Sequence, residues 1–287
     1  MDIFGENNIK SLILEILSKG PREGVDLIKQ IQSVRKGTTK QGVYKALRAL
    51  IKDRVVVKHR KNLMLNQIWL NKMNNFVEQT DKNYLTGQKA RDNTDTLDFM
   101  KEGDKISYIF KSYDALDRFH SHIFSLIIKK TDPQSPLYAY NPHEWFILKT
   151  NLKENEDYLF DWLRERDKQL YFTIGHENIL DKKFRKDYSS EEFEIAIDVN
   201  TNYPENLYIN VIGNYVIEMK NDKQFAEKLH MIYENSENQD EASEKIKSLL
   251  KTKHKIKMVL SYNSQKAKKI KAKLRKNFLI PKELKNK

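Results

Sequence analysis

The sequence predicts a mixed α/β chain in two parts, and three observations lead to that reading. Between Ile9 and Ile51, three amphipathic helical segments follow one another and run into a pair of β-rich stretches. From about residue 104 onward, helical and β patterns alternate. The charge is also segregated. Residues 1–72 hold 15 Lys/Arg against 6 Asp/Glu, residues 73–244 hold 21 against 33, and residues 245–287 hold 16 against 1. Two basic ends around an acidic middle imply that the ends meet a polyanion while the middle does something else.

The first helix runs over Ile9–Leu17 and is closed by Gly20 with Pro21 just beyond it, the usual order at a helix end. The second carries Val25, Leu27, Ile28, Ile31 and Val34 at helical spacing, and Lys36-Gly37 supplies a turn. Thr38 or Thr39 caps a third helix with Val43, Leu47, Leu50 and Ile51 on its core face. The β-rich stretches Val55–His59 and Leu63–Trp69 are joined by Arg60-Lys61-Asn62. Helix, helix, helix, hairpin is the order of a winged helix-turn-helix, in which the third helix enters the major groove of DNA. Residues 1–72 are assigned to this domain. Residues 73–103 read as a connecting helix, Asn71 to Thr86, followed by an irregular linker over 87–98.

The second domain is expected over 104–245, as an α/β effector or assembly domain. Its helices are predicted at Tyr113–Ile128, Glu156–Arg166 and Phe225–Tyr233, the last capped by Asp222. Strands are expected at Pro136–Tyr140, Gln169–Ile174 and Phe193–Ile197. The clearest local signal is a hairpin, Leu207–Ile212 and Tyr215–Met219 around the two-residue Gly213-Asn214 turn. Residues 246–287 read as a lysine-rich tail: a strand at Lys255–Leu260, then a helix with Ala267, Ile270, Leu274 and Phe278 on one narrow stripe, ended by Pro281.

Candidate contact residues follow from this layout. On the third helix Thr39, Lys40, Gln41, Tyr44, Lys45 and Arg48 lie away from the apolar face. Gln pairs with adenine edges, Lys and Arg with guanine edges, and hydroxyls with phosphates. Tyr44 has two readings, a phosphate contact or packing against the wing. Arg60 and Lys61 at the hairpin tip, and Lys268, Lys269, Lys273 and Arg275 in the tail, are placed for phosphate contact. The tail has two further readings, a basic helix on an anionic membrane and a solvated helix held by its stripe.

Several functions are excluded or left without support. The chain has no cysteine, so disulfides and thiolate metal sites are out. Its longest apolar run, around Ile123 to Ile128, falls far short of the roughly 20 residues that span a bilayer. No signal peptide is recognised, and a cytoplasmic protein without a membrane partner is expected. His120 and His122 are poorly spaced for a shared metal. His143-Glu144 and His176-Glu177 look like catalytic dyads, but without a His-Glu-x-x-His pattern they read as helix-start or surface pairs. No phosphate-binding loop or nucleophile elbow is present. The expectation is therefore no enzyme, no catalytic residue, no metal and no cofactor. Tyr138, Tyr140, Trp145, Phe146, Tyr171 and Phe172 read as plain core or as the wall of a small-molecule pocket.

Gly42–Leu50 followed by Val55-Val56-Val57 resembles the winged domain of the TrmB family of prokaryotic transcriptional regulators. Tyr158–Arg166 leading into Leu170–Ile174, then Phe193–Ile197, then the Ile209–Ile217 hairpin resemble that family's effector region. The resemblance covers most of residues 9–235 and implies an effector domain related to the phospholipase D fold. No His-x-Lys-x-x-x-x-Asp motif is present, so phospholipase activity is not implied. Together these observations lead to the expectation of a sequence-specific, double-stranded-DNA-binding transcriptional regulator. It would be a homodimer whose second domain senses a small-molecule effector or mediates assembly. The alternative is an architectural protein that coats duplex DNA with little sequence preference. A third class, a cryptic nuclease, would need metal-dependent cleavage that is lost on changing His143 or His176.

Overall fold

In a computed structural model, residues 8–86, 97, 100–148, 150–252 and 254–278 are described, apart from the side chains of 82–86 and 150–156. The chain is mixed α/β with two sheets and divides into two compact units, residues 1–88 and 89–287.

In the first unit Asn8 caps helix α1 (Ile9–Ser18), its side chain accepting from the Lys10 amide. The two-residue strand β1 (Arg22–Glu23) precedes α2 (Gly24–Val34), and α3 spans Lys40–Lys52. Of the two candidate caps for α3 the structure selects Thr39, whose Oγ1 accepts from the Gly42 amide at 3.1 Å. Strands β2 (Val56–His59) and β3 (Asn62–Leu65) form an antiparallel hairpin, and β1 adds to the outer edge of β3. Ile13, Leu27, Ile31, Val43 and Leu63 are almost fully buried and join the helices to the hairpin.

Two expectations fail here. Val25 and Val34 are exposed, so the buried face of α2 is only Leu27, Ile28 and Ile31. The second hairpin strand stops at Leu65, because Asn66 starts a helix. Its Oδ1 accepts from the Ile68 amide at 3.0 Å, and its Nδ2 donates to the Arg54 carbonyl at 2.8 Å. Ile68 and Trp69 therefore belong to α4 (Gln67–Thr86). The linker expected over 87–98 and the stop at Pro281 lie, but for Leu97, outside the described residues.

The second unit is built on a seven-stranded sheet in the order β4-β10-β9-β8-β5-β6-β7. Its strands are β4 (Lys105–Phe110), β5 (Leu137–Asn141), β6 (Leu170–Ile174), β7 (Phe193–Ile197), β8 (Leu207–Ile212), β9 (Tyr215–Lys220) and β10 (Ile256–Tyr262). Strands β5, β6 and β7 are parallel, joined through α6 (Thr150–Arg164) and α7 (Ile179–Tyr188); the other pairings are antiparallel. Helix α5 (Tyr113–Lys130) leads into β5, and α8 (Lys223–Glu234) and α9 (Gln239–Leu250) lead into β10. Asp222 caps α8 as expected, accepting from the Phe225 amide. The sequence reading missed β4, α7 and α9.

The lysine-rich segment is no separate tail. Strand β10 lies inside the sheet, hydrogen-bonded to β4 on one side and β9 on the other. Helix α10 (Ser264–Leu274) lays Ala267 and Leu274 against Tyr138, Tyr140, Tyr171, Ile209, Val211 and Val216. Ile270 and Phe278 pack on the same cluster, so the predicted stripe is real but faces this unit's core. Its burial stabilises the sheet rather than leaving the helix free for a partner. Replacing Leu274 by Ala should therefore cost about 2–5 kcal/mol in denaturant unfolding, as expected for a leucine within a core. Lys268→Ala, on the exposed side, should stay within about 0.5 kcal/mol.

Candidate functional site

Two places carry polar chemistry, one in each unit. In the first unit, Thr39, Lys40, Gln41, Tyr44, Lys45 and Arg48 are all exposed on one side of α3, and the helix contains no Asp or Glu. Tyr44 is 46% exposed, so part of its ring is open to solvent. Arg48 Nε donates to the Tyr44 carbonyl, laying the guanidinium back along the helix. Thr39 Oγ1 accepts from the Gly42 amide in the cap, and its O–H is left to donate. Arg60 and Lys61 form the two-residue tip between β2 and β3 and are exposed. Arg60 sits at φ 55°, where a side chain other than glycine costs about 1–2 kcal/mol.

Of the four predicted contacts on the C-terminal segment, Lys268 and Lys269 are exposed. Lys273 instead lies over the Tyr203 ring, 3.6 Å from its centroid, and Arg275 is half-buried. The structure thus divides this set, because the stripe that anchors α10 also turns two of its cations toward the sheet.

The second place brings together His143 and His176, which the sequence offered only as two separate unsupported dyads, and adds His230, which it did not single out. It forms at the carboxyl ends of parallel strands β5 and β6, where open α/β sheets commonly bind ligands. Asn141 ends β5, Pro142 turns the chain, and His143 follows with 2% exposure. Gly175 ends β6; a Cβ there would come within 2.7 Å of Tyr140 Oη, so only glycine lets this turn pass so close to β5. His176 follows at once. Asn178 caps α7 by accepting from the amides of Leu180 and Asp181 at 3.0 Å each. That cap sets Asp181 in the first turn with its Oδ2 2.9 Å from His143 Nδ1. His230 on α8 brings its Nδ1 to 3.0 Å from His143 Nε2. The His143 and His176 rings stack at 4.4 Å between centroids with 15° between planes. Glu205, in the loop before β8, touches His176 Nε2. The ligand-capable atoms of His143, His176 and His230 all lie within 4.8 Å of one another, so these three residues can hold a metal ion.

Burial dominates the electrostatics. It pushes His143 down to about 2, reinforced by His176 and His230. It raises Asp181 to about 8 against the pull of His176. Burial also raises Glu144 to about 8, against the bond from Asn141 Nδ2 to its carboxylate and the Phe146 amide. Neutral imidazole is the form that offers a nitrogen lone pair.

His143-Glu144 is thus no surface pair: both residues are buried, and the Tyr233 hydroxyl donates to the Glu144 carbonyl. Glu177 does match the expectation, being half-exposed and 3.3 Å from Lys182. The sequence carried one usable signal, a histidine two residues after the end of each of two consecutive strands. His230 had none, since it lies beside Leu229 in an ordinary amphipathic helix.

The aromatic set, read as plain core or as a pocket wall, splits between two faces. Tyr138, Tyr140 and Tyr171 pack under α10, and Trp145 is buried against Tyr113 and Phe225. Phe146 and Phe172 border a cavity of about 60 Å³ between α5, α6 and the sheet, far below a drug-sized pocket of roughly 300–1,000 Å³. His120 faces this cavity beside Asn210. No family model matches the chain, and no curated protein or solved structure matches it either.

Burial lowers His120 to about 4, so the folded protein holds it neutral where the unfolded chain protonates it. Its contribution to stability is present above pH 6.5 and is lost as pH falls from there toward 4. Unfolding of wild type and His120→Leu across that range should show wild type losing about 1–2 kcal/mol relative to the variant, less than full linkage because the residue as a whole keeps some exposure. A constant difference across the range would refute this.

Proposed function

We propose that the protein is a sequence-specific DNA-binding transcriptional regulator whose first unit is a winged helix-turn-helix. The observation that carries the reading is the outward side of α3: an exposed Gln, Tyr, two Lys and an Arg on a helix free of carboxylates. A helix is about 10–12 Å across with its side chains, and the major groove is about 12 Å wide, so α3 fits the groove. Gln41, Lys45 and Arg48 suit base edges; Thr39, Lys40 and Tyr44 suit the flanking phosphates. Arg60 supports a phosphate role for the hairpin tip, since a left-handed arginine costs stability that glycine would not. Helix α4 exposes Ile68 and Phe76 about 80° apart around its axis, a side on which a second copy of the chain would pack in a dimer, while Val77 is exposed on the side opposite Ile68.

Lys268 and Lys269 favour a sequence-independent share of the affinity, because both are exposed cations on a helix anchored by its opposite side. If that share were the whole, the protein would be a DNA-coating one.

Selection of bound fragments from genomic DNA should return a discrete site, occupied by two chains per duplex and preferred at least about a thousandfold over random sequence. Lys45→Ala with Arg48→Ala should abolish that preference with the unfolding midpoint unchanged; retained affinity would remove α3 as the reading helix. Lys268→Glu with Lys269→Glu should weaken binding to every duplex alike and lower the slope of log K against log salt by about 2. A loss confined to one sequence would contradict the phosphate role. Equal affinity for all duplexes in the wild type would establish the coating reading.

A further inference from the structure

We propose that His143, His176 and His230 form a binding site for one divalent transition-metal ion of the zinc class. The site would be open to solvent at one coordination position. This inference is independent of the DNA-binding reading, because every residue it uses belongs to the second unit.

Three separate elements converge on the cluster: the turn after β5, the turn after β6 and helix α8. Nitrogen ligands at about 2.0–2.1 Å from a tetrahedral ion lie about 3.3 Å from one another. His143 Nε2 and His230 Nδ1 are already 3.0 Å apart, and the widest separation in the set is within 4.8 Å. His176 is the ring that has to turn, since it stacks nearly flat on His143. It sits on the rim with its side chain 23% exposed, where such a rotation is cheapest.

The outer shell is that of a metal site as well. Metal-bound histidines usually give their second ring nitrogen to a carboxylate, which fixes the tautomer and turns the other lone pair toward the ion. Asp181 does this for His143, on the nitrogen opposite the one that meets His230. Asp181 is itself fixed by the Asn178 cap, so the ligand is aligned before an ion arrives. Glu205 places a second carboxylate on His176 from the solvent side, its side chain 60% exposed. Three imidazoles with carboxylates beside them and no thiolate select zinc, cobalt or nickel over magnesium or calcium, which prefer all-oxygen shells. The exposed rim at His176 and Glu205 leaves room for a water or an exchangeable ligand.

The test uses the full-length, tag-free chain, stripped with a chelator and titrated with Co²⁺ in the absence of DNA. One Co²⁺ per chain should bind, with the visible ligand-field bands of a four- or five-coordinate nitrogen site, and Zn²⁺ should displace it. His176→Gln with His230→Gln, both on partly exposed positions, should lower affinity at least about a hundredfold with the circular dichroism spectrum unchanged. Asp181→Asn should cost about 10–100-fold, the range for losing an outer-shell partner. His59→Gln, on the exposed hairpin of the other unit, should leave affinity unchanged. Equal Co²⁺ affinity in wild type and the His176/His230 double variant would overturn the site, as would a wild-type protein that binds neither Co²⁺ nor Zn²⁺ saturably. Neither result would bear on duplex binding, which is measured separately.

Discussion

The contact between His143 Nδ1 and Asp181 Oδ2 is the constraint from which the arrangement of the second unit's site follows. Both groups are almost completely buried, and an unpaired polar group there would cost a few kcal/mol. The pairing therefore fixes where α7 begins relative to the end of β5. It does so through a short covalent path: Gly175 lets β6 end against Tyr140, Asn178 starts the helix, and Asp181 lies one turn in. With His143 held, its second nitrogen has one direction to face, and His230 and His176 meet it there.

The sheet that supports this geometry depends on the C-terminal segment. Strands β4 and β9 are neighbours only through β10, the last strand among the described residues. The Tyr138, Tyr140 and Tyr171 rings on one sheet face are covered by α10, the next element after it. Strand β5 carries Tyr140 on that face and Asn141 at its end beside the site, so packing under α10 and the position of His143 are transmitted through the same five residues. Long-range pairing of this kind closes a large loop before it gains any contact, which places this topology among the slower folders.

How much of this was legible in the sequence depended on the range of the interaction concerned. Helix caps and hairpin turns act over three or four residues. Thr39, Asp222 and Gly213-Asn214 were therefore readable, and β7 was located to the residue. Asn66 has the same kind of signal, but it was hidden by the β-branched and aromatic Ile68-Trp69, which look like strand when only composition is counted. Helices α7 and α9 were missed because charged residues dominate them and few apolar positions mark a period. The stripe of α10 was visible, yet nothing local reveals whether a stripe faces its own unit or a partner. The histidine cluster lay furthest from view. His143, His176 and His230 are distant in the sequence and meet only through parallel pairing of β5 with β6 and the return of α8.

The two places of interest differ in the same physical respect, and that explains why only one was anticipated. A surface that meets a polyanion works by long-range attraction in water. It needs only exposed cations on a suitably shaped element, and composition and amphipathic spacing report both. The role proposed for the α3 face starts from an attraction of this kind, because its cations and polar groups are all exposed on one helix. A nitrogen-lined site at strand ends works at short range, where a displacement of about 1 Å decides whether ligands can share an ion. Its residues must be neutral, buried and held by neighbours such as Asp181 and Asn178. Those properties belong to the folded sheet and to no segment of the chain on its own.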